Sequence, residues 1–158
     1  MHFRFAALSI ALLTCSSRER GQQAEPAPVT VSLAESQQLH WIAGTWRGSG
    51  GAYPSFFEEY RVLEDSTIQM RSFSDSTLSV TSDSSRIEWR NGTIRSRGGE
   101  RAYAAVDFTA TSIRFARPGV ALGGYTFTHK STDEWIATLH PSRPGGQATV
   151  YTMRRLPR

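Results

Sequence analysis

From Thr45 onward the chain reads as a succession of short strand-like segments with no helical pattern between them. In most of them apolar and polar residues alternate with the two-residue period of a half-buried strand. About ten such segments recur at a spacing of roughly 8–12 residues, with Gly, Pro, Asn or Asp in the turns. Since parallel strands need long crossover connections, the pattern predicts a single antiparallel sheet system and not a doubly wound α/β fold.

Two local signals give this prediction its boundaries. Asn91-Gly92 lies between the strand-like runs RIEWR and TIRS and predicts a two-residue β-hairpin. Ser32 and Glu35 stand at the capping-box spacing and predict the start of a short helix, which Gly44 ends. We therefore expect an all-β fold: one up-and-down antiparallel barrel of about eight to ten strands, preceded by one short helix.

Composition is consistent with one globular domain over residues 32–158. The chain has 158 residues, of which 39% are hydrophobic, enough for a packed core. The formal net charge is +4, but the basic residues are scattered among 14 acidic ones and only Lys130 is a lysine. Because no basic stripe with interleaved aromatics appears, we expect no nucleic-acid partner.

The N-terminus contains a predicted targeting signal. Residues 1–14 hold one arginine followed by the apolar run Phe5–Leu13, which is too short to span a bilayer and is typical of a signal peptide. The run ends in Leu12-Leu13-Thr14-Cys15, which resembles a bacterial lipoprotein signal. That resemblance implies lipidation of Cys15, a flexible tether over residues 15–31, and attachment to a membrane of the cell envelope facing the periplasm. In a Gram-negative cell the outer membrane is expected, since no aspartate follows the cysteine.

The segment GTWRGSGGAYP contains glycines that precede strands, whereas a phosphate-binding loop needs a helix directly after them. A short helix followed by Gly44-Thr45-Trp46 instead resembles the calycin family, which includes the lipocalins. In that family the tryptophan packs across the closed end of the barrel, often beside an arginine of the last strand. The resemblance implies that Trp46 is a structural plug, covered by Arg154 or Arg155.

The same segment looks like the opening of nitrobindin-type haem-binding barrels, and WIAGTWRGSG with EEYRV looks like a set of uncharacterised bacterial lipoprotein barrels. Nitrobindin-like proteins hold haem through a histidine on the last strand. The equivalent stretch here, residues 147–155, has none, and only Tyr151 offers an alternative ligand. His40, His129 and His140 are far apart in sequence and show no zinc-site spacing. We therefore expect no cofactor, with haem as the alternative.

Catalytic constellations are lacking in the sequence. Glu58 and Glu59 are adjacent, so on a strand they point to opposite faces and cannot act as a carboxylate pair. The periodicity of this strand leaves open which of the two faces inward, and an inward glutamate can pair with an arginine such as Arg71. No serine lies in a G-x-S-x-G elbow. Binding without chemistry is therefore the expectation.

A barrel of this size can hold one small ligand. We expect a small, mainly apolar molecule as the partner of the interior. The candidate ligand-binding residues are Glu58, Tyr60, Met70, Trp89, Phe127 and Tyr151. Two alternatives stay open: a haem-binding barrel, and a structural or protein-interaction module of the envelope whose interior is filled by its own aromatics.

Overall fold

The chain forms a closed barrel of ten antiparallel strands behind a short helix, in a computed structural model that describes residues 26–51 and 54–157. Each strand pairs with the next along the chain, and the first pairs with the last to close the barrel. The prediction of an antiparallel barrel of eight to ten strands after one short helix is confirmed. The strands are β1 Gly44–Ser49, β2 Phe56–Glu64, β3 Thr67–Phe73, β4 Thr81–Arg90, β5 Thr93–Gly98, β6 Arg101–Thr109, β7 Ser112–Ala116, β8 Tyr125–Ser131, β9 Glu134–Leu139 and β10 Thr149–Arg155.

The two predicted local signals are both present. The Ser32 side chain accepts a hydrogen bond from the backbone N–H of Glu35, and the Glu35 carboxylate accepts one from the Ser32 N–H, so the capping box is formed. The helix α1 covers Leu33–Ser36 and continues as a 3₁₀ helix over Gln37–Ile42. Asn91 and Gly92 have φ angles of 50° and 81° and join β4 to β5, as a two-residue hairpin of the predicted kind requires.

One end of the barrel is covered by the helical segment and by the residues before it. The Val29 N–H donates to the Ala105 carbonyl at 2.9 Å, and the Val31 N–H donates to the Gly92 carbonyl at 2.8 Å. Val31 is buried. Both valines belong to the stretch 15–31 that was predicted to be a tether. The predicted signal peptide and Cys15 lie outside the described residues. No helix among the described residues is long and apolar enough to cross a membrane.

Trp46 fills this closed end. Its side chain is fully buried, its indole N–H donates to the Ile42 carbonyl at 2.7 Å, and its ring meets that of Trp135 edge-on with 6.0 Å between centroids. The guanidinium carbon of Arg155 lies 4.1 Å from the Trp46 ring centroid. Arg155 also donates to the carbonyls of Ala43 and Thr132, at 3.0 and 2.7 Å. The stacking of a cation on an indole adds to burial at this end.

Neighbouring residues on a strand point to opposite faces, and the two arginines of β10 follow that rule. Arg155 lies opposite Trp46 in the register of β1 and β10 and points into the closed end. The side chain of Arg154 is exposed and pairs with Glu134 at 3.6 Å on the outer surface. Of the two arginines predicted for the plug, the structure therefore places only Arg155 there.

The glycines around Trp46 make room for larger side chains. A Cβ on Gly44 would collide with the guanidinium of Arg155, and Gly44 also has a φ of 139°. A Cβ on Gly48 would collide with the ring of Phe56 on the neighbouring strand. The pattern Gly-x-Trp-x-Gly thus serves the packing of a barrel strand, because each glycine leaves space that a ring or a guanidinium occupies.

Candidate ligand cavity in the open half of the barrel

The half of the barrel opposite the helix contains a cavity of about 350 Å³. This volume lies in the range of natural small-molecule sites, which runs from about 300 to 1,000 Å³. Inward-facing side chains of eight strands contribute to the wall, and no described residue of β1 or β7 does. The lining residues are Phe56, Glu58, Tyr60, Met70, Ser85, Ile87, Ser96, Gly98, Arg101, Tyr103, Tyr125, Phe127, Trp135, Ala137, Leu139, Tyr151 and Met153.

Aromatic rings form the floor of the cavity, which is its side nearest to the closed end, and also line its wall. On the floor, Trp135 meets Phe127 with 4.8 Å between ring centroids and Tyr60 with 5.8 Å, both edge-on. Tyr125 continues this cluster towards the open end, 5.0 Å from Phe127. Such edge-to-face contacts hold the rings in fixed orientations, and they present both ring faces and ring edges to a ligand.

The structure settles which face of β2 points inward. Phe56, Glu58 and Tyr60 line the cavity, whereas Glu59 lies on the outer face. Glu59 pairs there with Arg71 of β3 and, at 2.8 Å, with Arg61. Arg71 therefore does not pair with the inward glutamate. The sequence left such a pair open, and the structure does not form it, because Glu59 and Arg71 are cross-strand partners on the opposite face.

Glu58 is instead held by hydroxyl groups. The Tyr60 hydroxyl donates to Glu58 Oε2 at 2.8 Å, and the Ser72 hydroxyl, opposite Glu58 on β3, donates to Met70 Sδ at 3.4 Å. Burial raises the pKa of Glu58 above its ordinary value of 4.5, although the neighbouring hydroxyls of Tyr60 and Ser72 act in the opposite direction. The residual exposure of this side chain is to the cavity, whose wall it forms. Glu58 is therefore a desolvated carboxyl group facing a mainly apolar space.

A second pair of polar side chains in the cavity joins β8 to β5. The Tyr125 hydroxyl donates to Ser96 Oγ at 2.6 Å, and Ser96 is buried. Burial raises the pKa of both Tyr60 and Tyr125 above 10.0, so both phenols are protonated at neutral pH and act as hydrogen-bond donors. Sequence reasoning did not select Tyr125 or Ser96. Alternation with Phe127 marks Tyr125 as inward-facing, but a small hydroxyl such as Ser96 gives no signal in a pattern.

Five of the six residues predicted to bind a ligand line this one cavity: Glu58, Tyr60, Met70, Phe127 and Tyr151. They come from β2, β3, β8 and β10, so only the closed barrel brings them together. Trp89 does not line it. Its indole N–H donates to the Val31 carbonyl at 2.6 Å, which places the ring at the closed end beneath the N-terminal segment.

The cavity does not fit a haem iron. Among the described lining residues there is no histidine, and His129 lies at the closed end, stacked on Trp41 with 5.1 Å between ring centroids. Tyr151, the one phenolate candidate in its strand, packs edge-on against Phe56 at 5.2 Å. In the described part of the chain no three His, Cys, Asp or Glu side chains converge as metal ligands. The donor set is thus poor for an axial ligand or a divalent metal.

No protein-family model matches the chain, and no curated protein matches its sequence. Among solved structures the chain is similar to a redesigned β-barrel, with 11% identity, 77% of this chain and 96% of that chain covered, and a TM-score of 0.39. A similarity at this level carries no argument about function. The function of the protein is therefore inferred from the cavity itself.

Proposed function

We propose that this protein is a binding protein that holds one small, mainly apolar molecule inside its barrel and does not transform it. The observation that carries the proposal is the cavity of about 350 Å³, in which aromatic and aliphatic side chains surround a few polar groups. This is the composition of a ligand pocket, where apolar surface supplies affinity and convergent polar groups supply orientation. A purely structural module predicts an interior filled throughout by its own aromatics, whereas the described residues leave a cavity in the open half of this barrel.

The location is part of the proposal and depends on sequence alone. The resemblance of Leu12–Cys15 to a lipoprotein signal supports a lipid anchor on Cys15 and a position at the cell envelope, facing the periplasm. The resemblance of the helix and Gly44-Thr45-Trp46 to calycins supports a relationship to that family. The Trp46–Arg155 stack at the closed end is consistent with it. Mass spectrometry of the protein purified from membranes tests the anchor, since acylation adds a defined mass at Cys15.

The binding proposal predicts saturable uptake of a neutral apolar probe. N-phenyl-1-naphthylamine, which fluoresces strongly only in apolar surroundings, is expected to bind with a stoichiometry of one. Ala137→Phe puts a phenyl ring into the cavity from its wall and is expected to weaken binding at least about tenfold, because the ring occupies ligand volume. The measurement is a fluorescence titration.

The matched control is Ala102→Phe. Ala102 is exposed and does not line the cavity, so this variant adds the same ring on the outside and is expected to bind the probe like the original protein. Thermal melts of both variants establish that the fold is kept. No saturable signal with the original protein, or equal binding by Ala137→Phe and Ala102→Phe, would contradict binding in the cavity.

A further inference from the structure

Glu58 is the carboxyl group of the cavity that has no cationic partner. Its Oε2 accepts the Tyr60 hydroxyl at 2.8 Å, and none of the ion pairs among residues 26–51 and 54–157 includes it. The neighbouring Glu59, by contrast, pairs with two arginines on the outer face. Among the described residues, arginines thus pair with the glutamate on the outer face of β2, and none pairs with the glutamate that faces the cavity.

Taking a carboxylate out of water without a compensating cation is costly, and most proteins avoid it. A mid-wall position that needed only packing or hydrogen bonding would be served by Gln, Met or Leu. A carboxylate left open towards a cavity is instead able to receive a cation that enters with a ligand. Pairing with such a cation would favour the ionised form of Glu58, which burial alone disfavours.

The charged and titratable groups around Glu58 favour a positive ligand. Asp83 on β4 adds negative potential that raises the pKa of Glu58 further. The phenols of Tyr60 and Tyr125 face the same space and stay neutral. Arg101 on β6 is the only lining residue with a positive charge, and it is exposed at the open end of its strand. An anionic ligand head beside Glu58 would meet a carboxyl group, with the negative charge of Asp83 nearby.

The rings of the cavity favour a cation as well. The faces of Tyr, Phe and Trp carry a negative quadrupole, and a cation within about 6 Å of such a face is attracted by about 0.5–2 kcal/mol. Tyr60, Tyr125, Phe127 and Trp135 line the cavity together with Glu58. An arrangement of one carboxylate among several aromatic rings suits an ammonium group whose remaining body is apolar.

We infer that the ligand of this cavity is a hydrophobic amine, with its protonated nitrogen paired to Glu58 and its apolar body on the aromatic floor. The inference rests on the proposed binding function and names its ligand class. Tyr60 is the positioning residue, since its hydroxyl donates to Oε2 and orients the carboxyl group that receives the ammonium group.

The test is a competition assay in which 1-octylamine, 1-octanol and octanoate displace N-phenyl-1-naphthylamine at pH 7. The three competitors share one chain and differ only in the head group. A charge-assisted hydrogen bond to Glu58 is expected to make octylamine bind about 10- to 100-fold more tightly than octanol, with octanoate the weakest. Glu58→Gln keeps the shape of the wall and removes the charge, so it is expected to abolish the difference between octylamine and octanol.

Glu59→Gln is the matched control, because it makes the same change one residue away on the outer face, and it is expected to leave the preference intact. Equal affinity of octylamine and octanol in the original protein would overturn the inference, as would a preference that survives in Glu58→Gln. Both results leave the binding function standing, since the probe still binds. Failure of the probe to bind the original protein overturns the binding function itself and the inference with it.

The pH dependence gives a second readout that a merely structural role would not produce. The pKa of Glu58 is raised above 4.5, so lowering the pH through this raised value protonates Glu58 while octylamine stays cationic. The preference for octylamine over octanol is expected to fall with decreasing pH in the original protein and in Glu59→Gln. Glu58→Gln is expected to show no such change, and a pH-independent preference in the original protein would overturn the pairing.

Discussion

The two ends of the barrel differ in what their interiors contain. At the closed end, Trp46 is fully buried, its N–H has a carbonyl partner, and Arg155 covers its ring while donating to two carbonyls. In the open half, a cavity of about 350 Å³ is lined by a carboxyl group without a cation. The two ends of one closed sheet can therefore have different roles along the barrel axis. Dense packing at one end stabilises the fold, and incomplete packing at the other leaves room for a ligand.

The alternation of each strand is what allows this division. Eight of the ten strands line the cavity, and Tyr60 and Ile87 on its floor also belong to the packed core beneath it. Stabilising the closed end therefore stabilises the walls of the cavity, because the same strands run through both. The half that contains the cavity does not need a separate core of its own.

Trp46→Ala is expected to have the largest effect on stability, and it tests the packing of the closed end. Removing a fully buried indole leaves a cavity beside Trp135 and deprives Arg155 of the ring it covers, so the free energy of unfolding should fall by about 3–5 kcal/mol. Urea denaturation measures it. A loss below about 1 kcal/mol would mean that the closed end is not where stability resides.

Glu58→Gln tests the open half, and its effect on the free energy of unfolding is expected to have the opposite sign. Since the folded state raises the pKa of Glu58 above its unfolded value, the native protein binds this proton more tightly and loses stability as the pH rises from about 4.5 through the raised pKa. The variant lacks this loss. Its free energy of unfolding should exceed that of the original protein at pH 8, and the excess should shrink towards pH 4.

Urea denaturation at several pH values, with Glu59→Gln as the control, provides this measurement. Glu59 has a lowered pKa owing to Arg71 and Arg61, so its substitution is expected to reduce stability at neutral pH. If Glu58→Gln and Glu59→Gln changed stability in the same direction at pH 8, the proposed cost of the unpaired carboxyl group would be contradicted.

Much of this fold follows from the sequence, since its signals are local. Alternation predicted the strands, Asn91-Gly92 the hairpin, and Ser32 with Glu35 the helix start. What alternation does not give is which of its two faces points inward, so the choice between Glu58 and Glu59 stayed open. The position of Trp89 also depends on a tertiary partner, the Val31 carbonyl, which lies 58 residues away.

The site was predictable in part, and for a physical reason. Alternation places Glu58 and Tyr60 on the same face of one strand, and the closed barrel makes that face the inner one. The basic residues, 17 of the 18 being arginines, are spread along the whole chain. The sequence alone therefore does not show which described arginines lie near Glu58 and which do not. Only cross-strand register assigns Arg71 to Glu59, and register is fixed by the closed barrel.

The central claim is that the open half of the barrel binds a small apolar molecule, and the methionine methyl groups report on it most directly. Met70 on β3 and Met153 on β10 both line the cavity. In ¹³C-methyl-methionine NMR spectra recorded during titration with N-phenyl-1-naphthylamine, both signals should shift, saturate at one equivalent and give one dissociation constant. Signals that stay in place, or that drift without saturation, would contradict the account.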